Sequence, residues 1–291
     1  MKKPLIFLKK TTSFFAILLL SCHFFSAKPL FFEFFSEKST QKEENKAFLN
    51  GENLKYKISY GGTNKKKGVL LAGYAHFNLK DSITSENIPI HRIKGYGGTT
   101  KFFSLFMKVK HFYTSIITKH TLETIESTME IIEGNYYSKN HTLFSNKEGQ
   151  ECIITRRTDN TQDSENVIKT NTKLSGNDIL GAFYKLRTMN HDQLIKRDSV
   201  FFSYYYNDQV FDSHFINIGE EIIHTKFGKI KTIKCAPLLE KGRMFKQKYG
   251  AFIWVTADNM HIPVKLEIPI LVGSVYVTLI KYENTIFDLK E

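Results

Sequence analysis

A period of two in side-chain polarity restricts this chain more than any other feature. In "LKYKISY", Leu54, Tyr56, Ile58 and Tyr60 fall on one face and Lys55, Lys57 and Ser59 on the other. "HIPVKLEIP" repeats the pattern with Ile262, Val264, Leu266 and Ile268. Successive side chains of a strand point to opposite faces, so this alternation describes half-buried β-strands. "LLAGYAHFNL", "ETIESTMEII", "SVFFSYYYN", "AFIWVT" and "GSVYVTLIKY" read the same way, and the 25 Phe and 14 Tyr of the chain suit pleated surfaces. Turn signals separate the segments at Gly61-Gly62, Gly134-Asn135, Gly228 and Asp258-Asn259. The count is about ten to twelve strands, mainly antiparallel.

Two segments break the alternation. "TTKFFSLFMK" spaces Phe102, Phe106 and Val109 at helical intervals behind Thr99 and Thr100, which can cap. "SGNDILGAFYKLRTM" sets Ile179, Phe183 and Leu186 on one helix stripe, with Ser175 or Asn177 as cap and Asp178 near the positive end. Residues 155–172 are polar and aperiodic and read as an exposed loop. "GYGGTT" (Gly95–Thr100) lacks the lysine of a phosphate-binding loop and reads as a glycine turn from strand to helix. The expected fold is mainly β: a strongly curved antiparallel sheet, a half-open or closed barrel, with one or two short helices packed on its concave side.

The first 22 residues have the layout of an export signal. "MKKPLIFLKK" supplies positive charge and Phe14 to Leu20 is uninterrupted apolar sequence. "LLSC" (Leu19–Cys22) resembles a bacterial lipobox, which makes Cys22 the candidate lipid-attachment site. An uncleaved signal anchor and a soluble secreted protein remain as alternatives. Residues 23–47 read as a polar tether and 48–291 as a single β-rich domain. Export to an oxidising compartment leaves Cys152 and Cys235 as a candidate disulfide or as two free thiols.

A formal net charge of +12 suggests polyanions, but the 41 basic residues comprise 35 Lys and only six Arg, dispersed along solvated strand faces. That pattern argues against nucleic acid, whose readers concentrate charge and favour Arg. The ten histidines show neither HxH nor HExxH spacing, so no metal and no cofactor is expected, and no constellation of catalytic residues is legible. Arg187 and Arg243 stand out in a lysine-rich chain, since arginine makes forked bonds that lysine cannot; an ordinary structural ion pair is the simpler role. In "FFSYYYN", Phe202, Tyr204 and Tyr206 share one face, opposite Phe201 and Tyr205. Together with Phe183 they are the candidate lining of an apolar ligand site, or else they fill the core.

"GENLKYKISYGG", "GYGGTTKFFSLFMKVKHFYTSII", "DILGAFYKLRTM", "HTKFGKIKTIKCAPLLEKGRMFK" and "FIWVTADNMHIPVKLEIPILVGSVYVTLIKYE" follow in an order that resembles the exported bacterial family called domain of unknown function 3108, from about Phe48 to Glu283. Residues 150–171 depart most from it. The resemblance implies a periplasm-facing envelope protein with a β-rich domain, and it lends no catalytic residues. The element order is also similar to that of half-barrel lipoprotein carriers. The expectation is a cell-envelope lipoprotein, held at the membrane by its N-terminus, whose sheet binds an apolar or amphipathic ligand. The alternative is a scaffolding envelope protein that holds protein partners. An enzyme is not expected.

Overall fold

The computed structural model describes residues 47–62, 69–147, 150–170, 177–189, 194–195, 199–237, 251–270, 273–286 and 289. The signal, Cys22, most of the tether, and Arg243 lie outside the described residues.

One antiparallel sheet of fourteen strands accounts for the fold. Its first half is a meander of β1 (Asn53–Gly61), β2 (Val69–Ile83), β3 (Pro89–Thr99), β4 (Val109–Thr118), β5 (Thr124–Glu133), β6 (Tyr136–Lys147), β7 (Gln150–Asp159) and β8 (Asp163–Thr170). Helix α1 (Ile179–Arg187) follows. The second half is a meander of β9 (Ser199–Tyr206), β10 (Gln209–Thr225), β11 (Gly228–Pro237), β12 (Phe252–Thr256), β13 (Pro263–Pro269) and β14 (Ser274–Glu283). Strand β14 returns to pair with β1, so the halves join through the first and last strands and leave β8 and β9 at the ends of the sheet.

The two ends meet through side chains and not through a ladder. Tyr205 of β9 packs its ring on Phe144 of β6 at 5.8 Å, and its hydroxyl lies 2.7 Å from Thr155 Oγ1 of β7. Arg157 of β7 pairs with Asp208 of the β9–β10 turn at 2.5 Å. That turn, Asn207-Asp208, has positive φ at both residues, the backbone a two-residue hairpin requires. The free edge of β9 is also covered locally, because Tyr205 N–H donates to Asn177 O at 2.8 Å. Tyr205, which alternation places on the outer face, is therefore buried, whereas Phe201 on the same face is 73% exposed.

Helix α1 lies inside the curve. Asp178 caps it, accepting from Gly181 N–H at 2.8 Å, from Ser115 Oγ at 2.7 Å and from Thr124 Oγ1 at 3.1 Å. Burial pushes the Asp178 carboxyl above its ordinary range in spite of these donors. Gly181 is required there, since a Cβ would meet Thr124 Oγ1 at 2.3 Å. At the other end, the buried Arg187 forks onto Glu52 with contacts of 2.6 and 2.7 Å. It also donates to Met260 O and Ala47 O, each at 3.0 Å. Burial opposes its charge, but the Glu52 carboxylate outweighs burial and holds the guanidinium charged. Ala47 and Phe48 are already in the core at the start of the domain.

Three local expectations are corrected. Residues 100–108 form only a 3-10 turn at Phe103–Leu105, with Phe102 and Phe106 exposed. Strands β3 and β4 stay paired up to Gly98↔Lys110, and the Thr99 side chain bonds both Ser104 and Val109 N–H, which ties the link into a tight turn. Gly95–Thr99 lie in β3 itself, and none of the three glycines has positive φ. They permit close approach: a Cβ on Gly98 would meet the Tyr96 hydroxyl at 2.7 Å, and one on Gly73 would meet Gly98 O at 2.3 Å. Residues 155–170 belong to the β7–β8 hairpin and are not a loop; Arg156 pairs with Glu165 across it at 2.9 Å. This hairpin is what raises the strand count above ten to twelve.

Two outcomes are expected. Arg187→Met strands the buried Glu52 carboxylate and costs about 3 to 5 kcal/mol in denaturant unfolding, while adding Glu52→Leu recovers much of that loss. His91, buried beside Asp81 at 2.7 Å, has its pKa lowered from 6.5, first by burial. Its folded form is neutral, so its contribution is present above pH 6.5 and is lost as pH falls below that. Thermal midpoints should drop from pH 7 to pH 5.5, with a shallower slope in His91→Asn.

Candidate functional site

With α1 pinned at Asp178 and Arg187, the space between its outer stripe and the β9–β14 half of the sheet is not filled. A cavity of about 150 Å³ remains there. The helix contributes Ile179, Phe183 and Leu186, the stripe visible in the sequence. Strand β9 contributes Val200, Phe202 and Tyr204, β10 contributes Phe215, β11 Cys235, and β12 Ile253 and Val255. Tyr56 of β1 and Phe77 of β2 close the far side, and Phe77 stacks on Phe183 at 5.8 Å. The lining is almost wholly apolar, and several of its members, among them Met189, Leu194, Phe202 and Phe215, are partly exposed.

Cavity shape follows from stacked rings. Phe202 lies parallel to Phe215 at 5.0 Å and to Tyr204 at 5.9 Å, and Tyr204 stacks on Phe211 at 5.6 Å. Cross-strand aromatic ladders of this kind stiffen a wall while leaving a flat apolar surface.

Of the four sequence-predicted lining residues, Phe183, Phe202 and Tyr204 come together here. Tyr206 does not: it is buried at a second hollow of about 30 Å³, beside Tyr113, Thr142 and Asp178. The β9 strand turns to meet the other end of the sheet, which separates Tyr206 from its same-face neighbours. Cys152 and Cys235 are free thiols, on β7 and β11, which are not neighbours in the sheet. The candidate disulfide between them is not formed.

Charge in the lining is already matched. Arg187 is held by Glu52, and Lys265 sits 3.3 Å from Glu267 with its ammonium 4.0 Å over the Trp254 ring. Tyr56 is different. Its hydroxyl is buried with no hydrogen-bond partner among the described residues, and burial raises its pKa well above the ordinary phenol range. Alternation marked Tyr56 as inward-facing, but nothing local in the sequence marked its hydroxyl as an orphan. Among the described residues no three His, Cys, Asp or Glu side chains gather as metal ligands, and no helix is long and apolar enough to cross a membrane.

These features define an open β-barrel-like sheet with an internal helix and an apolar cavity at its flank. Among solved structures the chain is similar to the β-barrel-like protein of domain of unknown function DUF1849 from Brucella abortus. The TM-score is 0.54 and the identity 8%, over 82% of this chain and 99% of that one. At that identity the likeness is one of fold. By sequence, the chain belongs to the family described as "Protein of unknown function (DUF3108)", which matches residues 55–280. No curated protein matches it.

Burial pushes the Cys235 thiol up to about 12. At pH 8 roughly one molecule in 10⁴ carries the thiolate that alkylating reagents need. Peptide mapping after iodoacetamide treatment should find Cys152 modified in the folded chain and Cys235 modified only after unfolding.

Proposed function

We propose that this chain is an exported envelope protein, held at the membrane through its N-terminal segment, that binds the uncharged apolar portion of a small ligand in the cavity beside α1. The single observation that carries the reading is an almost wholly apolar space of about 150 Å³ walled by stacked rings. A cavity of that size accommodates a benzene-sized group and favours apolar contents over water. It therefore takes a ring or the end of an acyl chain, and not a whole phospholipid. The buried part of the ligand is uncharged, because Arg187 and Lys265 are already paired. The N-terminal signal and the lipobox-like "LLSC" support export and attachment at Cys22.

A scaffolding role is the second reading. Phe201 at 73%, Ile222 at 64% and Ile218 at 40% exposure on β9 and β10 favour a protein partner along that end of the sheet. Cross-linking in native membranes distinguishes it by capturing one defined partner that is lost in Phe201→Ser.

The ligand reading is tested with toluene, a neutral apolar molecule of one ring, by isothermal titration calorimetry. The wild-type chain should bind it, and Val255→Phe, which fills the cavity from β12, should weaken binding tenfold or more with unfolding midpoints little changed. Equal binding by the two proteins would sink the proposal.

A further inference from the structure

The end of the barrel where β3 passes into β4 presents apolar side chains to solvent. Leu105 is 80% exposed, Phe106 76%, Phe102 56% and Met107 49%. Leu70 and Leu71, at 46% and 37%, extend the patch, since Thr100 N–H donates to Ala72 O at 2.8 Å beside them. Scattered exposed apolar residues are ordinary; six gathered at one tip are not.

The tip is built to hold this arrangement. Thr99 Oγ1 lies 2.8 Å from Ser104 Oγ and accepts from Val109 N–H at 3.0 Å, tying the loop's ends together. Phe103 N–H donates to Thr100 Oγ1, Ser104 N–H to Thr100 O, Leu105 N–H to Phe102 O, and Phe106 and Met107 N–H to Phe103 O. Phe103 packs inward against the core as the anchor. The exposed residues thus project from a turn whose N–H groups from Phe103 to Met107 are satisfied within the loop. Such a turn can enter an apolar medium without stranding those donors.

Its surroundings say which medium. Lys101, Lys108 and Lys110 flank the tip, all exposed and in no ion pair among the described residues. Behind them on the outer wall, Tyr96 packs on Phe112 at 5.1 Å, and Tyr74 is 45% exposed. An apolar point, a collar of lysines and a belt of rings is the layering of a bilayer surface: acyl chains, anionic headgroups, interface. Phe102 and Phe106 meet edge to face at 5.7 Å, so that with Leu105 and Met107 the tip is one apolar knob.

We propose that residues 102–107 insert into an anionic lipid surface, giving the folded domain a membrane contact of its own besides the N-terminal segment. The two attachments are spatially separate. Phe48 packs on His91, near the start of β3, at 5.4 Å, whereas the tip follows Thr99 at its end, roughly 25 Å further along the strand. Residues 21–46 can span about 80 Å when extended, so one membrane can take both contacts.

The test uses the full chain on vesicles of phosphatidylcholine alone or mixed with phosphatidylglycerol. Leu105→Trp places a fluorophore at the tip, and Ile222→Trp, on the exposed face of β10 at the other end of the barrel, is the control. The natural Trp254 is 3% exposed and serves as the unquenched background. With brominated acyl chains in the phosphatidylglycerol vesicles, Leu105→Trp should lose most of its added emission and Ile222→Trp none. Adding Lys101→Glu and Lys108→Glu should reduce the quenching several-fold, as should high salt. Failure to associate with vesicles, association without quenching at the tip, or equal quenching at both positions overturns the proposal. Association without quenching would instead point to a protein surface as the occupant of the tip. Equal quenching on neutral and anionic vesicles overturns the role given to the lysines.

Discussion

The forked pair between Arg187 and Glu52 is the contact on which the interior depends. It joins four parts of the chain at one buried point: the C-terminal turn of α1, the residue before β1, the start of the domain through Ala47 O, and the β12–β13 turn through Met260 O. His261 Nδ1 lies 3.0 Å from Arg187 O, and the Phe48 and Tyr184 rings lie 5.6 and 5.2 Å from the guanidinium. Two buried charges confer little net stability over apolar residues of the same volume, but they restrict geometry strongly, because any shift leaves a charge unpaired. That restriction fixes where the helix ends inside the curve. The Asp178 cap fixes where it begins.

Pinning the helix at both ends explains why there is a cavity at all. A helix of nine residues does not fill the interior of a fourteen-stranded sheet. It lies against β4 and β9 and is tied through Arg187 to Glu52, just before β1, and the stripe of Ile179, Phe183 and Leu186 faces the gap that remains. Close packing is the norm in protein interiors, so an apolar void walled by ordered rings is a departure that the placing of the helix accounts for. The same logic applies outside, where the 102–107 turn spends well-formed backbone hydrogen bonds on holding apolar side chains in water. The sheet thus carries an inner apolar cavity and an outer apolar tip at separate places.

The sheet manages its open ends by chemistry of the side chains. Tyr205, Thr155, Phe144 and the Arg157–Asp208 pair join the two margins without extending the ladder. One backbone bond, from Tyr205 N–H to Asn177 O, adds to these contacts.

The alternation around Leu54, Ile58, Val264 and Leu266, the stripe of α1 and the hairpins at Gly134, Gly228 and Asp258 were legible because each is a local pattern of a few residues. Mainly antiparallel β-structure around a helix follows from them. Tertiary structure decided what depends on distant partners. The β7–β8 hairpin was hidden because it is mostly polar, and its buried contact forms only where Ile153 packs with Phe144 of β6 and Tyr205 of β9. The helical spacing of Phe102 and Phe106 was overruled by the pairing of β3 with β4 through Gly98↔Lys110. Phe202 and Tyr204 parted from Tyr206 because β9 bends toward the opposite margin. The Tyr56 hydroxyl is unpaired because no donor or acceptor among the described residues reaches it. Periodicity along a chain states which face of an element is apolar; only the packed sheet states what that face meets.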